Sequence, residues 1–129
     1  MKILIDTQCW LWMQTEPNRF REETRRMLLD PDNVLLLSAA SSWEIAIKYA
    51  IGKLPLPEPP STYVPTRMRL SGTIGLPIEH EHALHVATLP LHHRDPFDRL
   101  LVAQANVESM PLLTADPVLA SYSITILSP

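Results

Sequence analysis

Three short apolar runs, separated by longer segments with helical periodicity, constrain the fold of this chain more than any other feature. The runs are Lys2–Asp6 (KILID), Val34–Ser38 (VLLLS) and Pro111–Thr114 (PLLT). Short, continuous apolar runs are typical of strands that are buried on both faces of a sheet. Because such strands alternate here with helical segments, the sequence predicts an α/β protein with a parallel sheet and helices on both faces.

Two of the intervening segments have clear helical periodicity. Between the first two runs, Phe20, Thr24, Met27 and Leu28 recur at helical spacing, and the turn Asp30–Asn33 follows them. This spacing predicts an amphipathic helix with its apolar face towards the core. A second helix, which Gly52 can end, is predicted from the apolar positions Trp43, Ala46, Ile47, Ala50 and Ile51.

The rest of the chain contains a proline-rich connector and further elements. The connector is Leu54–Ser61, within a chain that has 13 prolines. Helices are expected near Tyr63–Leu70, from about Glu79, and over Asp95–Val107. The remaining predictions are an extended piece near Ile74–Ile78 and a final strand, at the edge of the sheet, over Ile124–Leu127.

Length and composition indicate one domain, residues 1–129, with an apolar content of 46% that is sufficient for a core. The single cysteine, Cys9, cannot form an internal disulfide, and we expect it to be a buried small side chain. The apolar N-terminal stretch is interrupted by Asp6 and Gln8, which argues against a signal peptide or a membrane span. We therefore expect a soluble, cytoplasmic protein without a membrane partner.

Four acids occupy positions at which the carboxyl ends of the strands would bring them together. Asp6 ends the first run, Glu44 follows the second, Asp98 lies near the start of the Asp95 helix, and Asp116 follows the third. Ligands of parallel sheets bind at this edge. Four carboxylates there would repel one another unless hard cations such as Mg²⁺ or Mn²⁺ neutralised them. The net charge of −3 then reflects a local acidic pocket, which fits binding of phosphates through metal.

Each acid except Asp6 also has a purely structural interpretation. Ser41 and Glu44 have the spacing of a capping box, and Glu44 could pair with Lys48 one turn on. Asp95 and Asp116 each precede a proline, which is typical of helix N-caps. Asp6 caps nothing obvious, so its functional interpretation is favoured.

Histidines and tryptophans offer weaker hypotheses. His80, His82 and His85 could be drawn as a metal site, but their order is not that of the zinc hydrolases, and a polar helix face explains them better. The segment His92–Arg94 could contact RNA phosphate or be a solvated loop, and these interpretations are equally supported. The tryptophans could stack on bases, although core packing is favoured; they are Trp10, Trp12 and Trp43.

Four motifs, in order along nearly the whole chain, resemble one protein family. They are KILIDTQCWLW, SAASSWEIAIKYAIGKLPLP, LPLHHRDPFDRLLVAQA and LLTADPVLASY. Together they closely resemble the PIN-domain toxins of bacterial type II toxin–antitoxin pairs, the VapC-like group. The resemblance implies a three-layer α/β/α sandwich with a mainly parallel sheet of four to five strands. It also implies Mg²⁺- or Mn²⁺-dependent endoribonuclease activity, a cognate VapB-like or related antitoxin, and a homodimer.

The resemblance also assigns roles to individual residues. The four acids of the family fall on Asp6, Glu44, Asp98 and Asp116, with Asp6 and Asp98 as direct metal ligands. Thr7 and Thr114 match hydroxyl residues beside the first and fourth acids, and Asp95 is a supporting residue that could reach the metals through water. Arg94 and Arg99 are candidates for contacts with backbone phosphates, although Arg99 could equally pair with an acid. Gln8 departs from the histidine that is common in the group.

Three other functions compete with the toxin. One is a housekeeping PIN nuclease in RNA processing without an antitoxin, and another is a non-catalytic PIN scaffold, against which the intact acid set argues. A haloacid-dehalogenase-type phosphatase also begins with a strand that ends in aspartate. It needs a second acid two residues on, and that position is Gln8.

Overall fold

Five parallel strands form a single sheet in the computed structural model, which describes residues 1–129. The strands are β1 (Lys2–Ile5), β2 (Val34–Ser38), β3 (Thr73–Leu76), β4 (Leu112–Leu113) and β5 (Ile126–Leu127). Their order across the sheet is β3-β2-β1-β4-β5, and every neighbouring pair is parallel. The predicted parallel sheet is confirmed, and the last strand lies at an edge as expected.

Six α-helices connect these strands. They are α1 (Thr7–Thr15), α2 (Glu22–Leu29), α3 (Ala39–Ala50), α4 (Pro60–Ser71), α5 (His80–His85) and α6 (Pro96–Val107). Short 3₁₀ helices add Pro17–Arg19, Val86–Thr88 and Pro117–Ser121. Helix α1 was not predicted, because apolar residues occupy nearly every side of its sequence, TQCWLWMQT, and leave no polar face to reveal the period.

The alternation of side chains along β1 creates a core on each face of the sheet. Ile3 and Ile5 belong to one core, and Leu4 belongs to the other. The first core is closed mainly by α1, α3 and α4, through Trp10, Ile45, Tyr63 and Val64. The second is closed mainly by α6, through Leu101, Val102 and Ala105. The result is the expected three-layer sandwich.

The central position of β1 fixes where Asp6 lies. Ile5 is in register with Leu37 of β2 on one side and with Leu113 of β4 on the other. The Asp6 amide then donates to the Leu113 carbonyl over 3.0 Å. Asp6 is therefore held at the carboxyl end of the middle strand, between the segments that follow β2 and β4.

Helix α3 is present as predicted, but the apolar positions that predicted it do not face the sheet. Its buried positions are Ala40, Ser41, Glu44 and Ile45. Trp43 is 59% exposed, and Ile47 and Ile51 are exposed with it. Because Glu44 points inwards, the apolar residues on the other side of the helix face solvent.

The three tryptophans have different environments. Trp10 is fully buried, and its indole N–H donates to the Thr73 hydroxyl over 3.0 Å. Trp12 packs edge-on against Phe20, with ring centroids 6.3 Å apart. The expectation of core packing is thus confirmed for Trp10 and wrong for the exposed Trp43. Cys9 is buried as expected, and burial raises the pKa of its thiol.

None of the helices is long and apolar enough to cross a membrane.

Truncation of Leu113 tests the role of β4 in the core. Leu113 is fully buried beside β1, so Leu113→Ala should lower the free energy of unfolding by about 2–5 kcal/mol. Leu84→Ala, at a position on α5 that is 72% exposed, is the matched control and should have little effect. Urea denaturation measures both variants, and equal losses in the two would contradict the assignment.

Candidate active site

All four predicted acids line one cavity, of about 420 Å³, at the carboxyl edge of the sheet. Asp6 comes from the end of β1, Glu44 from α3, Asp98 from the first turn of α6 and Asp116 from the segment after β4. The remaining lining residues are Thr7, Gln8, Lys48, Asp95, Ala115 and Pro117. Lys48 is the one lysine or arginine among them, so the wall of this cavity is strongly acidic.

Asp6 is a buried acid at the N-terminus of α1. Its Oδ1 accepts the Cys9 amide over 2.7 Å, which makes Asp6 the N-cap of that helix. The interpretation that Asp6 caps nothing is therefore wrong, because α1 was not foreseen. Burial raises the pKa of the Asp6 carboxyl, and the Thr114 hydroxyl and the Cys9 amide oppose that rise.

Glu44 is held by partners on both of its oxygens. The Thr7 hydroxyl donates to Oε1 over 2.7 Å, and Lys48 Nζ lies 2.5 Å from Oε2. The Glu44–Lys48 pair that the sequence suggested is thus present. The capping box is not, since Ser38 caps α3 by accepting the Ala40 amide over 3.0 Å. Thr7 therefore supports the second acid, and its hydroxyl also lies 2.9 Å from Ser41 Oγ.

Asp95 and Asp98 begin α6. Asp95 Oδ1 accepts the amides of Phe97, over 2.8 Å, and Asp98, over 3.1 Å, so the capping role of Asp95 is confirmed. Burial raises the pKa of Asp98 to about 7, and the nearby charges of Asp95, Glu44 and Asp6 add to this rise. A carboxyl pKa this high marks an acid that is buried close to other acids.

Asp116 is the most exposed of the four acids. Its Oδ1 accepts the Val118 amide over 2.9 Å, so it caps the 3₁₀ helix that begins at Pro117. Thr114 holds the backbone of Asp116, since the Thr114 hydroxyl accepts the Asp116 amide over 3.1 Å. For this acid, as for Asp6, a capping role and a place in the cavity coexist.

His93 joins the acids, and sequence reasoning did not place it there. Its Nε2 lies 3.0 Å from Asp116 Oδ2 and 3.2 Å from Asp98 Oδ2. The potential ligand atoms of these three side chains all lie within 4.8 Å of one another. Its place as the first residue of the HRDPFD segment was the available signal, but a loop of this kind carries no periodicity that fixes the direction of a side chain.

The other predicted or tempting residues lie elsewhere. Arg99 donates to the carbonyls of Pro90, Val86 and His93, so it braces a loop and pairs with no acid. This geometry gives no support to a phosphate contact by Arg99. Arg94 is exposed, and its contact with phosphate stays a prediction.

The histidines of α5 do not form a metal site. His82 is buried, with Nε2 3.0 Å from Glu108 Oε1, so the interpretation of this segment as a polar helix face is wrong for His82. His80 is exposed, and neither His80 nor His82 lines the acid cavity or belongs to the cluster of His93, Asp98 and Asp116.

The donor chemistry of the cavity fits a hard divalent cation. Its wall offers carboxylate and hydroxyl oxygens and no sulfur, which suits Mg²⁺ or Mn²⁺ better than softer metals. The raised pKa values of Asp6 and Asp98 have the same leading cause, burial of the carboxyl group, and the charges of neighbouring acids add to it. A bound cation would oppose both effects.

The raised pKa of Asp98 predicts a pH dependence of the metal-free protein. The unfolded chain releases this proton near the ordinary value of 3.8, whereas the folded protein keeps it up to about pH 7. A proton held by the folded state stabilises it, so this contribution is present at low pH and is lost as the pH rises to about 7. In EDTA, the melting temperature of the wild type should therefore fall relative to that of Asp98→Asn between pH 5 and pH 8. A constant difference across this range would contradict the prediction.

Comparison with known proteins places the chain by family and by fold. The PIN domain family matches residues 3–124. Ribonuclease VapC16 of Mycobacterium tuberculosis is 57% identical over 63 residues, which are 49% of this chain and 45% of that protein. The chain thus spans less than half the length of this curated relative in the alignment.

Solved structures of toxin–antitoxin complexes share the fold. The structure of VapBC2 from Rickettsia felis, bound to a promoter DNA fragment, contains a chain with a TM-score of 0.72 and 14% identity. That match covers 100% of this chain and 99% of the other. DNA-bound VapBC from Salmonella typhimurium gives a TM-score of 0.71 at 16% identity, over 99% and 98% of the two chains. With nearly the whole sequence matched by the family and its acids gathered at the carboxyl edge of a parallel sheet, the chain belongs to the PIN domain family.

Proposed function

We propose that this protein is a metal-dependent endoribonuclease that acts as the toxin of a type II toxin–antitoxin pair in the cytoplasm. The observation that carries the proposal is the convergence of Asp6, Glu44, Asp98 and Asp116 on one open cavity. The similarity to a protein named a ribonuclease, and the fold shared with VapBC complexes, support the same function.

Within this proposal, Asp6 and Asp98 hold a Mg²⁺ or Mn²⁺ ion directly, and Glu44 and Asp116 complete the pocket, partly through water. When bound, such a cation supplies positive charge for the scissile phosphate and activates water for attack. The carboxylates around the cavity would repel the phosphates of an RNA substrate, so the substrate could enter only with a cation bound.

The protein itself supplies fixed directions for the reacting groups. The Cys9 amide holds one oxygen of Asp6, so the direction of the other oxygen is fixed before the reaction, and the Val118 amide holds Oδ1 of Asp116. Thr7 and Lys48 hold Glu44 in the same way. In-line attack of water on the RNA phosphodiester would give a 5′-phosphate and a 3′-hydroxyl.

An apolar groove between α1, α2 and α4 supports an antitoxin as partner. Its volume is about 230 Å³, and its exposed rim includes Leu70, which is 67% exposed, and Leu29. A concave apolar groove suits the apolar face of a partner helix. The lining residues are Met13, Pro17, Phe20, Arg25, Leu28, Leu29, Leu70 and Ser71. We place the antitoxin in this groove.

The exposed face of α3 supports a homodimer. Trp43, Ile47 and Ile51 follow one another at intervals of four residues, and Trp43 packs edge-on against Phe97 with ring centroids 5.2 Å apart. Exposed apolar patches of this kind mark sites of association, and one helix face can pair with its own copy about a two-fold axis. This surface is separate from the groove that we assign to the antitoxin.

Replacement of single acids tests the nuclease. Asp6→Asn and Asp98→Asn should each abolish cleavage of total cellular RNA in Mg²⁺ or Mn²⁺, because each removes a charge that the cation requires while it keeps the shape of the side chain. Asp32→Asn, an exposed acid outside the cavity, is the matched control and should cleave like the wild type.

Cleavage products are followed by gel electrophoresis and end sequencing, with EDTA as the metal-free reference. Full activity of either cavity variant, or cleavage that persists in EDTA, would refute the assignment. No cleavage by the folded wild type with either metal would favour a binding scaffold.

A charge in the groove tests the antitoxin site. Leu70→Glu should weaken binding of the protein encoded by the adjacent open reading frame by at least about tenfold, since it buries a carboxylate against apolar side chains. Its RNA cleavage should be unchanged, because Leu70 does not line the acid cavity. Leu84→Glu on α5 is the matched control, and calorimetry measures both. Equal affinities of the two variants would move the antitoxin to another surface.

A further inference from the structure

We infer that His93 is a positioning residue of the acid cavity, which holds Asp116 by a hydrogen bond from its Nε2–H beside Asp98 and is not itself a metal ligand. This inference rests on the proposed metal site and adds a residue to it. The two acids belong to different elements, since Asp98 lies in α6 and Asp116 follows β4. His93 Nε2 is the one group within hydrogen-bond distance of both, at 3.2 Å and 3.0 Å.

The hydrogen bond at the other ring nitrogen fixes the tautomer. His93 Nδ1 lies 3.1 Å from the backbone nitrogen of Asp95, which donates to it. A backbone N–H is always a donor, so Nδ1 must present its lone pair. A neutral imidazole carries one N–H, and that proton is therefore on Nε2, where Asp116 Oδ2 accepts it and Asp98 Oδ2 lies 3.2 Å from the nitrogen.

The same tautomer argues against His93 as a ligand. A histidine that ligates a metal through Nε2 normally carries its proton on Nδ1 and donates it to a carboxylate, a carbonyl or water. Here Nδ1 faces the Asp95 amide, which cannot accept a proton. Ligation by Nε2 would leave two donors facing each other, so this loop conformation selects the donor role.

The backbone of His93 is itself braced. Its amide donates to the Tyr122 hydroxyl over 3.0 Å, and its carbonyl accepts from Arg99 Nη1 over 3.4 Å. Arg99 Nη1 also lies 3.2 Å from the Tyr122 hydroxyl, which closes a small network behind the loop. In this network, Arg99 holds the loop that carries His93, and the imidazole therefore has a fixed direction towards the cavity.

Two roles follow for the Nε2–H. It occupies Oδ2 of Asp116, and it places a donor group 3.2 Å from Oδ2 of Asp98, between two like charges that would otherwise separate. With Asp116 Oδ1 bound to the Val118 amide, Oδ1 of Asp98 is the oxygen of this pair that stays available to the cavity. Partners of this kind, behind the direct ligands, typically change metal affinity or activity by about 10–100-fold when they are removed.

Imidazole ¹⁵N NMR of the full-length protein tests the tautomer directly. Spectra recorded without metal and with saturating Mg²⁺ should both show a protonated Nε2 and an unprotonated Nδ1 for His93. A proton on Nδ1, or loss of the Nε2 proton when Mg²⁺ is added, would overturn the inference in favour of a ligand. This readout does not depend on RNA cleavage.

Variants test the consequence for metal binding. His93→Ala should weaken Mg²⁺ and Mn²⁺ binding, measured by calorimetry, and lower kcat, each by about 10–100-fold, with KM for RNA unchanged. His93→Gln keeps an N–H that reaches the acids and should restore most of both quantities. His80→Ala, an exposed histidine on α5, is the matched control and should behave as the wild type. Circular dichroism confirms that each variant is folded.

The outcomes separate this inference from the proposed function. Wild-type affinity in His93→Ala, or equal damage in the Gln and Ala variants, would overturn the positioning role and leave the metal site intact. Failure of the wild type to bind either cation would refute the metal site, while the tautomer measured without metal would still decide whether His93 donates from Nε2 to Asp116.

Discussion

The parallel pairing of β1 with strands on both sides is the constraint on which the rest of the structure depends. Because all five strands run in one direction, the chain leaves each of them at the same edge of the sheet. The segments after β1, β2 and β4 therefore meet there, and they carry Asp6, Glu44 and Asp116. Asp98 joins them because α6, which packs on one face of the sheet, begins at this edge.

Capping and function are served by the same carboxylates. Asp6, Asp95 and Asp116 each accept backbone amides at the start of a helix. Such bonds satisfy donors that would otherwise lack partners, and the partial positive charge of a helix N-terminus favours an acid there. These local hydrogen bonds thus reduce the electrostatic cost of bringing several carboxylates together, and they also fix the direction of each side chain. The remaining electrostatic cost is visible in the raised pKa of Asp98.

Helix α3 shows how this site alters the usual distribution of polar residues. Its inward side carries Ser41 and Glu44, because a carboxylate must reach the cavity, and its outward side carries Trp43 and Ile47. A polar inward side is tolerated because Thr7 and Lys48 satisfy both oxygens of Glu44. The apolar outward side is largely exposed, with Trp43 in edge-on contact with Phe97.

The sequence by itself determined the parallel sheet, most of the helices and the four acids, because buried strands and acids that follow them are local patterns. It did not reveal α1, whose residues are apolar on nearly every side, or the reversed exposure of α3. Only the tertiary structure decided that His93 lies between Asp98 and Asp116 and that Arg99 braces a loop. These contacts join residues from separate elements, and the direction of a loop side chain depends on distant backbone partners that no local spacing encodes.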